Sequence, residues 1–435
     1  MFRVVIPAIL AVALTACGGG GGGGGSPANP AQPDSVEAPL YGATYSSRFA
    51  PMVLAHFTDA QTQHMVMGHH QYLGGGRTAP APVRVYQLNS DGTMADVTVA
   101  ILGGAVTVST NTPLVADFNH DGIDDLFLPG FSDSQDMLPS VAFISRRGMS
   151  HIRVDLPDLV WAHGATAIDA NDDGHLDVMS SWGEIWFNDG QGNFRFQPHD
   201  GGSAPGFWIH GSGVCAGDFN GSGKSQVVLT DQMIDAHGGP LADTVIFELG
   251  PTGLPVAQHY LPVPYYDRNN VSTTELSHDV TCKVVDVNND GLQDILVFSR
   301  PAAVGATGRW TNEGMVQVLI NRGHWQFDDV TDTVMGAYKQ GGLLSYNPLT
   351  VDLNGDGKVD VWASSYDFGT GNSNQALLSS VSGPFNQSLE SVLAGFQATG
   401  GMLPVKFGDK WAFIIARMGL YESTLYFTKP VYTFN

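Results

Sequence analysis

Positive charge is scarce in this chain. Its 435 residues carry 20 Lys and Arg against 42 Asp and Glu, a formal charge of −22. That imbalance argues against nucleic acid or an anionic membrane surface as a partner. Charged residues of both signs make up only 14%, while Gly reaches 54 residues, a composition that suits short strands and tight turns better than helices. Cysteine is nearly absent, at 3 residues. No G-x-S-x-G, H-E-x-x-H or C-x-x-C is present, so familiar nucleophile, zinc and redox signatures are missing. Gly221-Ser222-Gly223-Lys224-Ser225 ends like a phosphate loop, but Asp218 stands where its first Gly belongs. Long apolar runs are missing too. The one that follows Arg3 is too short to span a bilayer as a helix.

Acidic turns are what the chain does have. Asp286-Val287-Asn288-Asn289-Asp290-Gly291-Leu292-Gln293-Asp294 reads D-x-N-x-D-G-x-x-D and runs into Ile295-Leu296-Val297-Phe298. Calcium takes six to eight oxygen ligands, a mix of carboxylates and carbonyls. Asp286, Asn288, Asp290 and Asp294 supply side-chain oxygens, and Leu292 at position 7 a backbone carbonyl. Three carboxylates this close repel one another unless a cation sits between them. The same set recurs as Asp117, Asn119, Asp121, Ile123 and Asp125. It recurs again as Asp169, Asn171, Asp173, His175 and Asp177, and as Asp352, Asn354, Asp356, Lys358 and Asp360. His175 and Lys358 stand at the backbone-carbonyl position, where side-chain identity hardly matters. About four structural calcium ions are expected. A solvated acidic turn without metal is the alternative. Position 12 is Leu128, Ser180, Val297 or Ala363 rather than the bidentate Glu of an EF-hand, and short apolar strands follow each turn. A damaged copy, Asp218, Asn220, Ser222, Gly223, Lys224 and Gln226, keeps the turn shape but loses two carboxylates.

The chain begins with the shape of a secretory signal peptide over residues 1–16. Its end, Leu14-Thr15-Ala16-Cys17, resembles the bacterial lipobox, which implies lipidation of Cys17. An ordinary secreted protein is the competing reading. Gly18 after the Cys favours the outer membrane by the same resemblance. The membrane would then be reached through the lipid anchor only, with no transmembrane helix in the mature chain. Residues 17–40, with an unbroken Gly run and a Pro-rich stretch, read as a flexible tether with a reach of about 25 Å.

Residues 41–435 are a repeat. The turns recur roughly every 50 to 70 residues, near the period of propeller blades. Val53-Leu54-Ala55-His56 aligns with Leu114-Val115-Ala116-Asp117, so His56 marks a unit without the acidic set. Hairpins follow the turns, as in Trp186-Phe187-Asn188-Asp189-Gly190-Gln191-Gly192-Asn193-Phe194. The expected fold is all-β, a seven-bladed β-propeller whose first, fourth and last units lack the calcium turn. The pairing of D-x-N-x-D-G-x-x-D with a downstream N-D-G-x-G-x-F hairpin resembles the FG-GAP and VCBS repeats, which also build the integrin α head. The resemblance implies a propeller with calcium in its blade turns and leaves adhesion, sugar binding and enzymatic roles open.

Asn111, His163, His210, His278 and Tyr346 each stand at the start of an inner strand and form a possible ligand site at one mouth of the channel. The competing reading is that they cap neighbouring backbone. Cys215 and Cys282 lie in consecutive units. Export permits a bond, but their one-residue offset turns them to opposite faces and favours two buried thiols. The leading expectation is a lipid-anchored envelope module that binds or adheres to a glycan or protein. The alternative is a polysaccharide lyase or hydrolase with its site at the channel mouth.

Overall fold

The computed structural model describes residues 35–39, 52–68, 70–74, 77–108, 110, 113–130, 139–157, 160, 163–199, 211–232, 243–262, 277–301, 315–335, 348–364, 374–378, 386–387, 401–418 and 423–428. The fold is an all-β β-propeller built of four-stranded antiparallel sheets. The first sheet contains Met52–Ala55, Gln63–Met67, Arg84–Leu88 and Met94–Asp96. The second runs Leu114–Ala116, Asp125–Leu128, Val141–Arg146 and Met149–Asp155. The third is Ala165–Ile168, Asp177–Ser180, Ile185–Asn188 and Phe194–Gln197. Gly213–Gly217, Gln226–Gln232, Asp243–Leu249 and Pro255–Tyr260 make the fourth, and Ser277–Val285, Asp294–Pro301, Met315–Asn321 and Phe327–Asp329 the fifth. A sixth has Leu349–Val351, Asp360–Ser364, Asn374–Leu378 and Asn386–Gln387. A small three-stranded sheet, His70–Gly74, Arg77–Pro82 and Thr107–Val108, branches from the first unit.

The last four-stranded sheet corrects the expected tether. Gly401–Phe407, Lys410–Met418 and Ser423–Thr428 come from the end of the chain, but the fourth strand is Ser35–Pro39. It pairs antiparallel with the final strand, from Ser35 opposite Thr428 to Pro39 opposite Thr424. Residues 35–39 therefore belong to the folded unit. Their sequence hides this because the partner lies at the far end of the chain and the strand carries a Pro, which sheets tolerate at an edge.

The middle strands read as unbroken apolar runs because they are covered on both faces. Asp125–Leu128, Asp177–Ser180 and Ile185–Asn188 are buried at every position. Successive sheets share their faces in pairs. Leu126, Leu128, Val141 and Phe143 of the second sheet pack with Val66, Val83 and Val85 of the first. Its opposite face, Phe127, Ala142 and Ile144, packs with Val178 and Trp186 of the third. Phe127 and Trp186 meet edge-on at 5.2 Å between ring centres. Each such fully buried aromatic contributes about 2–3 kcal/mol. The last sheet packs Leu403, Val405, Ile414 and Phe427 against Met52, Met65 and Met67 of the first.

Cys215 and Cys282 form a disulfide, with Cα atoms 5.8 Å apart, contrary to the expectation of two free thiols. Cys215 pairs across its sheet with Val228, whereas Cys282 pairs with Val297. The two do occupy opposite faces of their own sheets. Neighbouring sheets, however, present opposite faces to each other, so the one-residue offset puts both sulfurs into the same gap, among Val228, Ile246, Ile295 and Val297. Among the described residues no helix is long and apolar enough to cross a membrane.

Candidate metal centres

Six sheets join their first two strands through one turn in one register. The residue before position 1 pairs with position 9 as Ala55 with His64, Ala116 with Asp125, Ile168 with Asp177, Gly217 with Gln226, Val285 with Asp294 and Val351 with Asp360. In the turn that begins at Asp286, its Oδ1 accepts from the N–H of Asp290 at 3.1 Å and its Oδ2 from that of Gly291 at 2.8 Å. Asn288 Oδ1 accepts from the same Asp290 N–H at 3.0 Å. Asp290 Oδ1 accepts from Leu292 N–H at 2.9 Å. Asn289 and Gly291 are both left-handed, with φ of 57° and 87°, and the second of these falls where only Gly is comfortable. The turns at Asp117, Asp169 and Asp352 repeat these bonds within a few tenths of an ångström.

Position 9 does something different. Asp125, Asp177, Asp294 and Asp360 are fully buried. Each offers Oδ2 to the N–H of position 2, which is Phe118, Ala170, Val287 or Leu353. In three of them Oδ1 accepts from the outer hairpin, from Ser145, Asn188 and Asn321 N–H. Burial pushes Asp125, Asp177 and Asp294 up to about 6, and the other carboxylates of the same turn add to the rise. A buried carboxylate that resists ionisation beside two more carboxylates is a site whose charge a divalent cation would relieve. The donors are hard oxygens on a compact, Gly-bent loop, which suits calcium rather than a softer metal. Each oxygen uses one lone pair on an N–H and keeps another. Among the described residues no three His, Cys, Asp or Glu side chains converge as a cluster, because the turns combine two outer carboxylates with an Asn and hold the third inward.

The two altered turns keep the scaffold and change the chemistry. Gln226 Oε1 accepts from Phe219 N–H at 2.7 Å, in place of an Asp. His64 Nδ1 faces Phe57 N–H at 3.3 Å in the same role. Residues not singled out from sequence then tie turns of neighbouring sheets. Asn188 Nδ2 donates to the position-2 carbonyl of the preceding sheet, Phe118 O, at 2.8 Å. Asn321 Nδ2 donates to Phe219 O at 2.9 Å, and Trp411 Nε1 to Leu353 O at 2.9 Å. The first residue of the N-D-G hairpin was the available signal: an Asn that both starts a turn and reaches sideways.

Residues 286–363 match the FG-GAP-like repeat family. That stretch is an FG-GAP-like repeat. It covers the fifth sheet and the first two strands of the sixth, with two of the complete acidic turns. No curated protein matches the sequence. Among solved structures, the exotype rhamnogalacturonan lyase YesX is 13% identical with a TM-score of 0.43, over 91% of this chain and 76% of that one. The Vibrio cholerae biofilm matrix protein Bap1 is 8% identical with a TM-score of 0.35, over 91% and 90%. The six-bladed fucose-recognising lectin of Aleuria aurantia is 9% identical with a TM-score of 0.36, over 78% and 96%. At these values none speaks to function.

Of the expected channel-mouth residues, the side chain of His163 is described, and its ring lies 6.4 Å from that of Trp182. Asn111, His210 and Tyr346 fall outside the described residues, as do the side chain of His278 and all of Cys17.

Proposed function

We propose that the protein is a calcium-stabilised, seven-bladed β-propeller that acts as a binding module of the cell envelope, lipid-anchored through Cys17. Each four-stranded sheet is one blade, and the blade that ends the chain takes its outer strand from residues 35–39. Asp117, Asp169, Asp286 and Asp352 begin the four turns that hold an ion. The observation that carries this reading is the repetition of one turn in one register, four times with all its oxygen donors. An ion used once per blade, where two strands meet, has a structural task. The partner is a glycan or an envelope protein, and the charge of −22 disfavours polyanions.

The test is a glycan array and an envelope-protein overlay with the folded part, in calcium and in chelator. Saturable, calcium-dependent retention supports the reading. Turnover of a polysaccharide without retention would replace it with the lyase or hydrolase alternative.

A further inference from the structure

The turns of neighbouring sheets touch through a repeated pair of positions. Position 4 of one turn is left-handed, with φ of 57° at His120, 62° at Asp172 and 57° at Asn289. From there its side chain reaches position 6 or 7 of the next turn. Between the third and fourth sheets this gives an ion pair, Asp172 with Lys224. Between the fifth and sixth, Asn289 Nδ2 donates to Gly357 O at 3.4 Å. Each of these contacts joins unlike partners.

Between the second and third sheets the partners are alike. His120 Nε2 faces His175 Nδ1 at 3.4 Å, with ring centres 5.6 Å apart and planes tilted by 45°. Two nitrogens bound at 2.0–2.1 Å to one tetrahedral ion stand about 3.4 Å apart. The observed separation is that of two cis ligands. His175 is also held in place. A Cβ added at Gly190 would lie 2.4 Å from its ring, so the imidazole is seated against the hairpin turn of its own sheet. Both residues are exposed to the metal in solution.

We infer that His120 and His175 form a site for a borderline divalent ion of the zinc, nickel or copper class, bridging two repeat turns. Imidazole selects these metals over calcium, and water or a ligand oxygen fills the remaining positions. The site is separate from the calcium turns: His175 offers its backbone carbonyl to one and its ring to the other. It does not depend on the binding role proposed above.

The test is zinc titration of the whole protein by calorimetry in saturating calcium, beside wild type, His120→Asn and His175→Gln. Asn tolerates the left-handed backbone at position 4. Melting in calcium checks that each variant is folded. Expected is one saturable zinc ion in the wild type, weakened at least tenfold in either variant and no further in the double variant. The cupric form should show two imidazole nitrogens by electron paramagnetic resonance, reduced in each single variant. Unchanged zinc affinity in either variant, no saturable zinc binding in the wild type, or a cupric spectrum that ignores both substitutions would overturn the assignment.

Discussion

The turn from Asp286 to Asp294 and the turn from Asp218 to Gln226 share one backbone and differ in charge. Ser222 N–H still donates to Asp218 Oδ1 at 3.0 Å and Gly223 N–H to Asp218 Oδ2 at 2.7 Å, as Asp290 and Gly291 do in the complete turn. Gln226 takes over from the buried carboxylate at position 9. The difference separates two jobs that the sequence pattern merges. Positions 1 and 9 hold the loop, and an uncharged acceptor at position 9 suffices. Position 5, an Asp in the complete turn and a Ser in the altered one, carries the charge that an ion requires. The sheet with the altered turn is also the one that bears Cys215, covalently tied to its neighbour.

The broadest way to break this comparison is to remove calcium. Each occupied turn contributes about 2.7 kcal/mol when calcium is at 100 times its dissociation constant. Chelation should therefore lower the melting temperature by well over 10 °C in calorimetry, and an unchanged transition would remove the ion from the account. Breaking the disulfide comes next. Cys215→Ala with Cys282→Ala should cost about 4 kcal/mol by loop-entropy scaling, with or without calcium. Chemical denaturation of the double variant measures it.

Position 9 sharpens the contrast. Asp294→Ala orphans the N–H groups of Val287 and Asn321 and should cost about 2–4 kcal/mol even in chelator. Gln226→Ala orphans Phe219 N–H and should cost about 1–3 kcal/mol, again regardless of calcium. Position 5 should behave the other way. Asp290→Ala should lose roughly one site's calcium stabilisation and little in chelator, while Ser222→Ala stays within about 0.5 kcal/mol in both. Equal responses of Asp290→Ala and Ser222→Ala to calcium would end the division of labour.

The smallest effect concerns acid. Burial lowers the His64 pKa below its ordinary value, so the folded state refuses a proton that the unfolded chain accepts. Stability from this group is complete above about 6.5 and is lost as pH falls below it. His64→Gln, which imitates the fourth sheet, should flatten the slope of denaturation midpoint against pH between 7 and 5.

Much of this was legible in the sequence, for physical reasons that also mark where legibility stopped. The turns were readable because five of nine positions are constrained by chemistry within one short loop. The hairpin at Trp186 was readable because its Gly residues fall where the turn bends. Position 9 was misread in part: its carboxylate looks like a ligand by spacing, but its burial and its hydrogen bonds to Val287 and Asn321 make it a fold anchor first. Those contacts come from the outer hairpin, which spacing alone does not reveal. The cysteines were misread because parity within one sheet was carried unchanged into the next, although adjacent sheets meet through opposite faces. The strand at 35–39 was missed because no local pattern points to a partner at the other end of the chain.

That strand has a mechanical consequence. Any pull that reaches the fold along residues 1–34 enters at Ser35–Pro39 and is resisted by the five paired positions that zip it to Ser423–Thr428. The load is borne first at the seam where the chain's beginning meets its end. Under tension the stitching there is what yields, and the blades that carry the acidic turns feel the tug last.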